Sequence, residues 1–265
     1  MFSRFKNGVA SPDAQLAVGE VKLPDPVTQL YQDVERVAYW FLRNFSVAIP
    51  ADQRHDLLPH FRHYLGWCYR MVDMVSRSEQ PKVPAVSNYD TRQCVDAILT
   101  RYESRKDVRF VQVIAYRYPG LNVLEVGAGT RATTIPALRE LGDACASYTF
   151  TEISSGFFIA AEELFEKEAG SMVFKTFDME KEPMKQGFVE GSYEVVIAVN
   201  VLHVAGDLET SLSNVRRLLK PGGFLVVGEF TYTNRLFSGM TVGTLPGWWI
   251  GAENGRPWVP LLTLG

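Results

Sequence analysis

Cysteine is scarce in this 265-residue sequence, where Cys68, Cys94 and Cys145 stand far apart. Residues so placed form neither a paired disulfide framework nor a metal-ligand spacing, so no metal is expected and a reducing compartment is. Long apolar runs are also missing: none approaches the ~18 residues that a membrane span needs. Charge of one sign does not dominate. Lys and Arg number 27 against 30 Asp and Glu, the net charge is −3 and the pI about 5.9. There is no basic stripe of the kind nucleic acid requires, so neither nucleic acid nor membrane is expected as a partner. The opening residues Met1–Lys6 lack the apolar core of a signal peptide, and the expected location is cytoplasmic.

Apolar residues are plentiful, at 46% of the chain, enough for one large core or for one domain with a helical appendage. Residues 1–26 mix Gly, Pro, Ser and charge without periodicity and read as a linker or disordered arm. From Pro26, Leu30, Val34, Val37, Phe41 and Phe45 recur at helical spacing up to Pro50. A second helix is predicted over His60–Val75, with two more over Asp90–Tyr102 and Lys106–Tyr116. Residues 27–118 are therefore expected to form a helical N-terminal cap. After Pro119-Gly120 the period changes. Short β-rich runs (Asn122–Val126, Ser147–Thr151, Met172–Phe177, Tyr193–Ala198, Phe224–Phe230) alternate with helical ones (Thr134–Leu141, Phe157–Glu168, Leu208–Leu219). This predicts an α/β, Rossmann-like domain over 119–265, a parallel sheet with helices on both faces. Lys220-Pro221-Gly222-Gly223 reads as the turn that ends the last helix and launches the fifth strand.

Chemistry is expected at the carboxyl ends of those strands. Glu125-Val126-Gly127-Ala128-Gly129 closes strand one. Gly127 and Gly129 permit a sharp turn and a close approach of ligand to backbone N–H groups at a helix start. The turn also satisfies the dinucleotide pattern G-x-G-x-x-A through Ala132, with Glu152 at a ribose-binding distance downstream, so an NAD-dependent oxidoreductase is one reading. Acidic residues close three strands in succession. Glu125 suits the amino group of a methionine-like moiety and Glu152 ribose hydroxyls; Asp178 suits an adenine amino group, with Met179 covering the adenine face. After strand four, His203 follows Asn200-Val201-Leu202. Glu229 ends strand five, where it can orient the imidazole of His203 as a general base.

From Leu121 to Pro260 the chain resembles the S-adenosylmethionine-dependent C-methyltransferase domain of fungal highly reducing polyketide synthases, a class I methyltransferase fold. The likeness is carried by Leu124–Thr130, Tyr148–Phe158, Asn200–His203, Leu219–Gly223 and Gly243–Trp249, and Tyr31–Leu42 with Pro59–Trp67 is similar to that family's helical lead-in. The resemblance implies S-adenosyl-L-methionine as cofactor, with Glu125, Gly127, Gly129, Glu152, Asp178, Met179 and Asn200 around it. It implies methylation of the α-carbon of a β-ketoacyl thioester on an acyl carrier protein, with His203 as base, Glu229 as its supporting acid and no metal. The expected partners are the carrier-bound polyketide chain or other synthase domains. Three departures from the family pattern are expected to matter. Arg131 and Ala132 replace two glycines, the stretch between Val75 and Asn122 is short for a substrate lid, and the final strand pair of the fold is expected to be missing. They support a second reading, a catalytically impaired pseudo-methyltransferase acting as a scaffold. Trp248 and Trp249 read as core packing or as a wall near the substrate.

Overall fold

The computed structural model describes residues 25–49, 55–77, 109–229, 236–258 and 260. The expected arm before Asp25 and the expected helix over Asp90–Tyr102 lie outside them. Among the described residues, no helix is long and apolar enough to cross a membrane.

The chain runs α1 (Asp25–Ala48), α2 (Pro59–Ser76), α3 (Arg109–Arg117), β1 (Leu121–Val126), α4 (Thr134–Leu141) and β2 (Cys145–Glu152). It continues as α5 (Phe158–Leu164), β3 (Met172–Thr176), β4 (Tyr193–Val199), α6 (Leu208–Leu218), β5 (Leu219–Gly228) and α7 (Leu236–Val242). Five parallel strands make one sheet in the order β3-β2-β1-β4-β5. Strand order reverses beside β1, whose neighbours are β2 and β4, and the crevice at the carboxyl ends of β1 and β4 is where such sheets bind ligands.

Both faces of β1, β2 and β4 are buried along much of their length, because these central strands carry core residues on both sides. Val123, Val195, Ile197, Tyr148 and Phe150 pack with Val111 and Ala115 of α3, Ala137 and Leu141 of α4 and Ala161 of α5. Leu124, Val126, Val196 and Ala198 pack on the opposite face with Val215 and Leu218 of α6 and with Phe177, Met179 and Phe188. The N-terminus of α6 is capped by Asp207, whose side chain accepts from Thr210 N–H, as its residue type favours.

A third core joins the two ends of the chain. Ala38 and Leu42 of α1 and Tyr64, Trp67, Cys68 and Met71 of α2 pack with Leu236 of α7 and with Trp249. The fit depends on Gly239 and Gly243, one helical turn apart. A methyl group on Gly239 would lie closer than 3.0 Å to the Trp67 ring, and one on Gly243 closer than 3.0 Å to that of Tyr64. Glu35 of α1 completes the joint by accepting from Leu236 N–H (2.8 Å) and Phe237 N–H (3.3 Å), two of the donors a helix start leaves unpaired. The helical cap thus includes α7 and the Pro246–Trp249 turn, while α3, placed by the sequence in the cap, packs on the sheet.

One local expectation changes, and for Trp249 one of two open readings holds. Lys220-Pro221-Gly222-Gly223 lies within β5, as an irregularity between the pairs Tyr193–Leu219 and Val195–Phe224. Leu219 already pairs with Tyr193, and Gly222 at φ +80° lets the extra residues loop out. Trp249 is core: its Nε1 donates to Gly243 O at 2.7 Å.

Candidate cofactor and catalytic site

The glycine turn after β1 is built for close approach. Gly127 and Gly129 take φ of +64° and +50°, and a methyl on Gly127 would lie 3.0 Å from Val201 Cβ and closer still to its Cγ2. Absence of a side chain therefore lets the turn after β1 touch the turn after β4 across the crevice. Arg131 holds φ +69°, the conformation a glycine would adopt, and its N–H still bonds Ala128 O at 3.0 Å. The turn is kept, at a backbone cost of about 1–2 kcal/mol for a residue with a Cβ.

The acidic residues are placed differently from one another. Glu152 stands beside the turn: its Oε1 accepts from Gly129 N–H at 3.1 Å and its Oε2 from Ile153 N–H at 2.9 Å. Asp178 begins a turn after β3, with Oδ1 accepting from Glu180 N–H at 3.0 Å and Oδ2 3.0 Å from Lys181 Nζ. Glu125, only 2% exposed, lies under the rim. Its Oε2 accepts from Thr134 Oγ1 at 2.6 Å and Tyr148 OH at 2.7 Å, while its carbonyl accepts from Thr151 Oγ1 at 2.6 Å. Burial, and next the carboxylate of Glu125, push the Tyr148 phenol well above its usual range, so it remains a donor. Met179, 7% exposed, is packed into the core against α6 rather than standing open in the crevice, and its carbonyl accepts from Asn214 Nδ2 at 2.9 Å.

At the β4–β5 side the structure brings the expected pair together. His203 Nδ1 lies 2.8 Å from Glu229 Oε2, with the side chains 14% and 4% exposed. The other oxygen, Oε1, accepts from Val201 N–H at 2.8 Å and Leu202 N–H at 2.7 Å. A carboxylate facing Nδ1 accepts from it, so in the neutral ring Nδ1 carries the proton and the lone pair sits on Nε2. Asn200 holds φ +53°, which asparagine tolerates better than most residues, and turns the chain from β4 into this loop. Its N–H bonds Gly228 O at 2.7 Å, locking the loop to the end of β5.

Sequence reasoning missed Tyr148 and Thr134 as partners of Glu125, and Arg256 and Glu180 as partners of the His203 loop. Tyr148 left a faint trace, a hydroxyl on the same face of β2 as the apolar Phe150. Arg256 left none, since it lies far along the chain from the carbonyls it reaches.

The donor set fits a nucleoside cofactor carrying an amino-acid tail. A Cβ-free turn lies beside a carboxylate anchored to it, and a second carboxylate follows at the end of β3. A family model described as "Methyltransferase domain" matches residues 124–225. Over its whole length the chain is 36% identical to trichosetin synthetase of Gibberella fujikuroi, of which it spans 8%. Among solved structures, the trans-methyltransferase CalH in complex with SAH superposes at a TM-score of 0.70, with 26% identity over 89% of this chain and 80% of that one. The carbon-methyltransferase domain of the citrinin polyketide synthase superposes at 0.52, with 28% identity over 79% of this chain and 57% of that one. The chain is an S-adenosylmethionine-dependent methyltransferase of the class I fold, and it is similar to the C-methyltransferase domains of polyketide synthases.

Proposed function

We propose that the chain methylates the α-carbon of a β-ketoacyl chain held as a thioester on an acyl carrier protein, with His203 as base and Glu229 as the acid that orients it. The observation that carries this reading is Glu229, whose one carboxylate holds the backbone of the 201–202 loop and the Nδ1–H of His203 together. When bound, S-adenosylmethionine supplies an electrophilic methyl group on a positively charged sulfur. Glu152 is proposed to accept from the ribose hydroxyls and Asp178 from the adenine amino group. The Gly127–Gly129 turn admits the methionine end, with Glu125 supporting that turn from below and Asn200 bounding the site. His203 Nε2 takes the α-proton, which two carbonyls make acidic enough for an imidazole, and leaves a carbon nucleophile. Glu229 stabilises the imidazolium so formed. Holding nucleophile and methyl group in line provides much of the acceleration.

The polyketide substrate and carrier partner are supported by the kinship with trichosetin synthetase, a protein far longer than this chain. The test is methyl transfer to a β-ketoacyl thioester, read by mass spectrometry. His203→Ala is expected to lose about 10²–10⁴-fold in rate while its affinity for S-adenosylhomocysteine stays within about twofold, because the base does not line the nucleoside. A variant that keeps the wild-type rate removes His203 from the mechanism. A folded wild-type chain that binds neither cofactor nor product would instead support the scaffold reading raised by Arg131.

A further inference from the structure

We infer that Arg256 is a positioning residue for His203, clamping the carbonyl side of the loop whose N–H side Glu229 holds. The inference rests on the assignment of His203 as base. From Asn200 to Asp207 the chain carries the base yet forms only one short 3₁₀ turn, Leu202–Val204, so most of its backbone groups need partners from elsewhere.

On the donor side, Val201 and Leu202 N–H go to Glu229 and Asp207 N–H to Glu180 Oε1 at 2.8 Å. On the acceptor side, Arg256 Nη1 donates to His203 O at 2.9 Å and to Pro260 O at 2.9 Å, and Nη2 donates to Ala205 O. Asn254 Nδ2 adds a bond to Gly206 O at 2.9 Å. The base residue is thus held at two points, its ring by Glu229 and its own carbonyl by Arg256.

The site is shaped around this guanidinium. A methyl on Gly251 would lie closer than 3.0 Å to Arg256 Cζ, so the neighbouring turn leaves room for the planar group. Burial lowers the guanidinium's affinity for its proton, and the nearby charge of Glu180 opposes that loss. A partly buried cation spent on three carbonyls is a costly way to pack a loop. It is an effective way to fix one, because a rigid planar fork spreads its donors over several acceptors at once, where an ammonium offers three donors from one freely rotating nitrogen. Such support matters to the reaction, since a base displaced by about 1 Å can lose about 10²-fold in rate.

The experiment compares Arg256→Ala and Arg256→Lys with the wild-type chain in three measurements. Arg256→Ala is expected to lower kcat for methyl transfer at least tenfold with the KM for S-adenosylmethionine within about twofold, and Arg256→Lys is expected to recover part of that loss. Amide exchange at Val201–Ala205 is expected to quicken at least tenfold in Arg256→Ala while β1–β3 stay protected. S-adenosylhomocysteine affinity is expected to stay unchanged. Unaltered kcat and exchange in Arg256→Ala would overturn the proposal. So would a parallel fall of kcat, cofactor affinity and protection across the sheet, which would make Arg256 a packing residue only. A wild-type chain that binds S-adenosylhomocysteine but transfers no methyl group would sink the assigned reaction alone. The exchange measurement would then still decide whether Arg256 holds the loop.

Discussion

Replacing Glu229 by glutamine tests the site at its most constrained atom pair. The carboxylate serves three donors: two backbone N–H groups at 2.8 and 2.7 Å on Oε1 and His203 Nδ1 at 2.8 Å on Oε2. A glutamine has one acceptor oxygen and one NH₂. If the oxygen keeps the backbone pair, which cannot relocate, the NH₂ faces Nδ1. The imidazole must then move its proton to Nε2 and present Nδ1 as an acceptor. The ring stays in place while the basic lone pair moves from Nε2 to Nδ1. In serine-protease triads the equivalent acid-to-amide exchange preserves geometry and costs about 10⁴ in kcat. Here the expected loss is about 10³–10⁴, or ~4–5.5 kcal/mol of transition-state stabilisation. Cofactor affinity should be unchanged. Two assays check this: methyl-transfer rate, and ¹⁵N NMR of the imidazole, which distinguishes the Nδ1–H from the Nε2–H tautomer. A variant with full activity, or an inactive one that retains Nδ1–H, would falsify the tautomer argument.

Three further outcomes follow from separate parts of the structure. Gly127→Ala places a methyl into Val201 at φ +64°. It should cost about 2–4 kcal/mol from backbone strain and overpacking and weaken cofactor binding, and chemical denaturation with calorimetric titration would reveal a tolerated methyl if the contact were not real. Arg131→Gly removes the strain at φ +69° and should stabilise the chain by about 0.5–1 kcal/mol, a rise of ~2 °C in Tm; no rise would mean the side chain returns what the backbone loses. Glu194 concerns pH. Burial alone would raise its pKa, but bonds from Lys220 and from Asn122 N–H hold it below the usual range. A depressed folded pKa adds stability at neutral pH that is lost as pH falls through that value. Glu194→Gln should therefore be less stable than wild type at pH 7, by about 1 kcal/mol or less for so exposed a pair, and should converge on it as pH falls through the lowered folded pKa of the carboxyl. A gap that persists at low pH would place the effect in packing.

Much of the α/β architecture was legible because its signals are local. Five short apolar runs alternating with helical ones predict a parallel sheet, and all five strands lie within a few residues of their expected positions. The positions of Glu152 at the end of β2 and Asp178 just past β3 were legible for the same reason, since strand ends can be read from a few consecutive residues. His203 and Glu229, 26 residues apart in the chain, could be paired because parallel neighbours place equivalent ends side by side.

What only the tertiary structure decided is where each side chain's partners come from. Glu125 was expected to face the cofactor, yet its carboxylate is held beneath the rim by Tyr148 and Thr134, a choice set by which face of β1 it occupies. Met179 was expected to cover an adenine face, and its side chain is packed in the core cluster with Val215 and Leu218 of α6. The helical cap takes α7 through Gly239 and Gly243, whose missing side chains matter only once Trp67 and Tyr64 are brought against them. Arg256 reaches His203 O across 53 residues of sequence. Periodicity and turn chemistry reside in a few consecutive residues and can be read there. Contacts made by side chains across such separations arise from packing in three dimensions, and the sequence carries no local pattern that announces them.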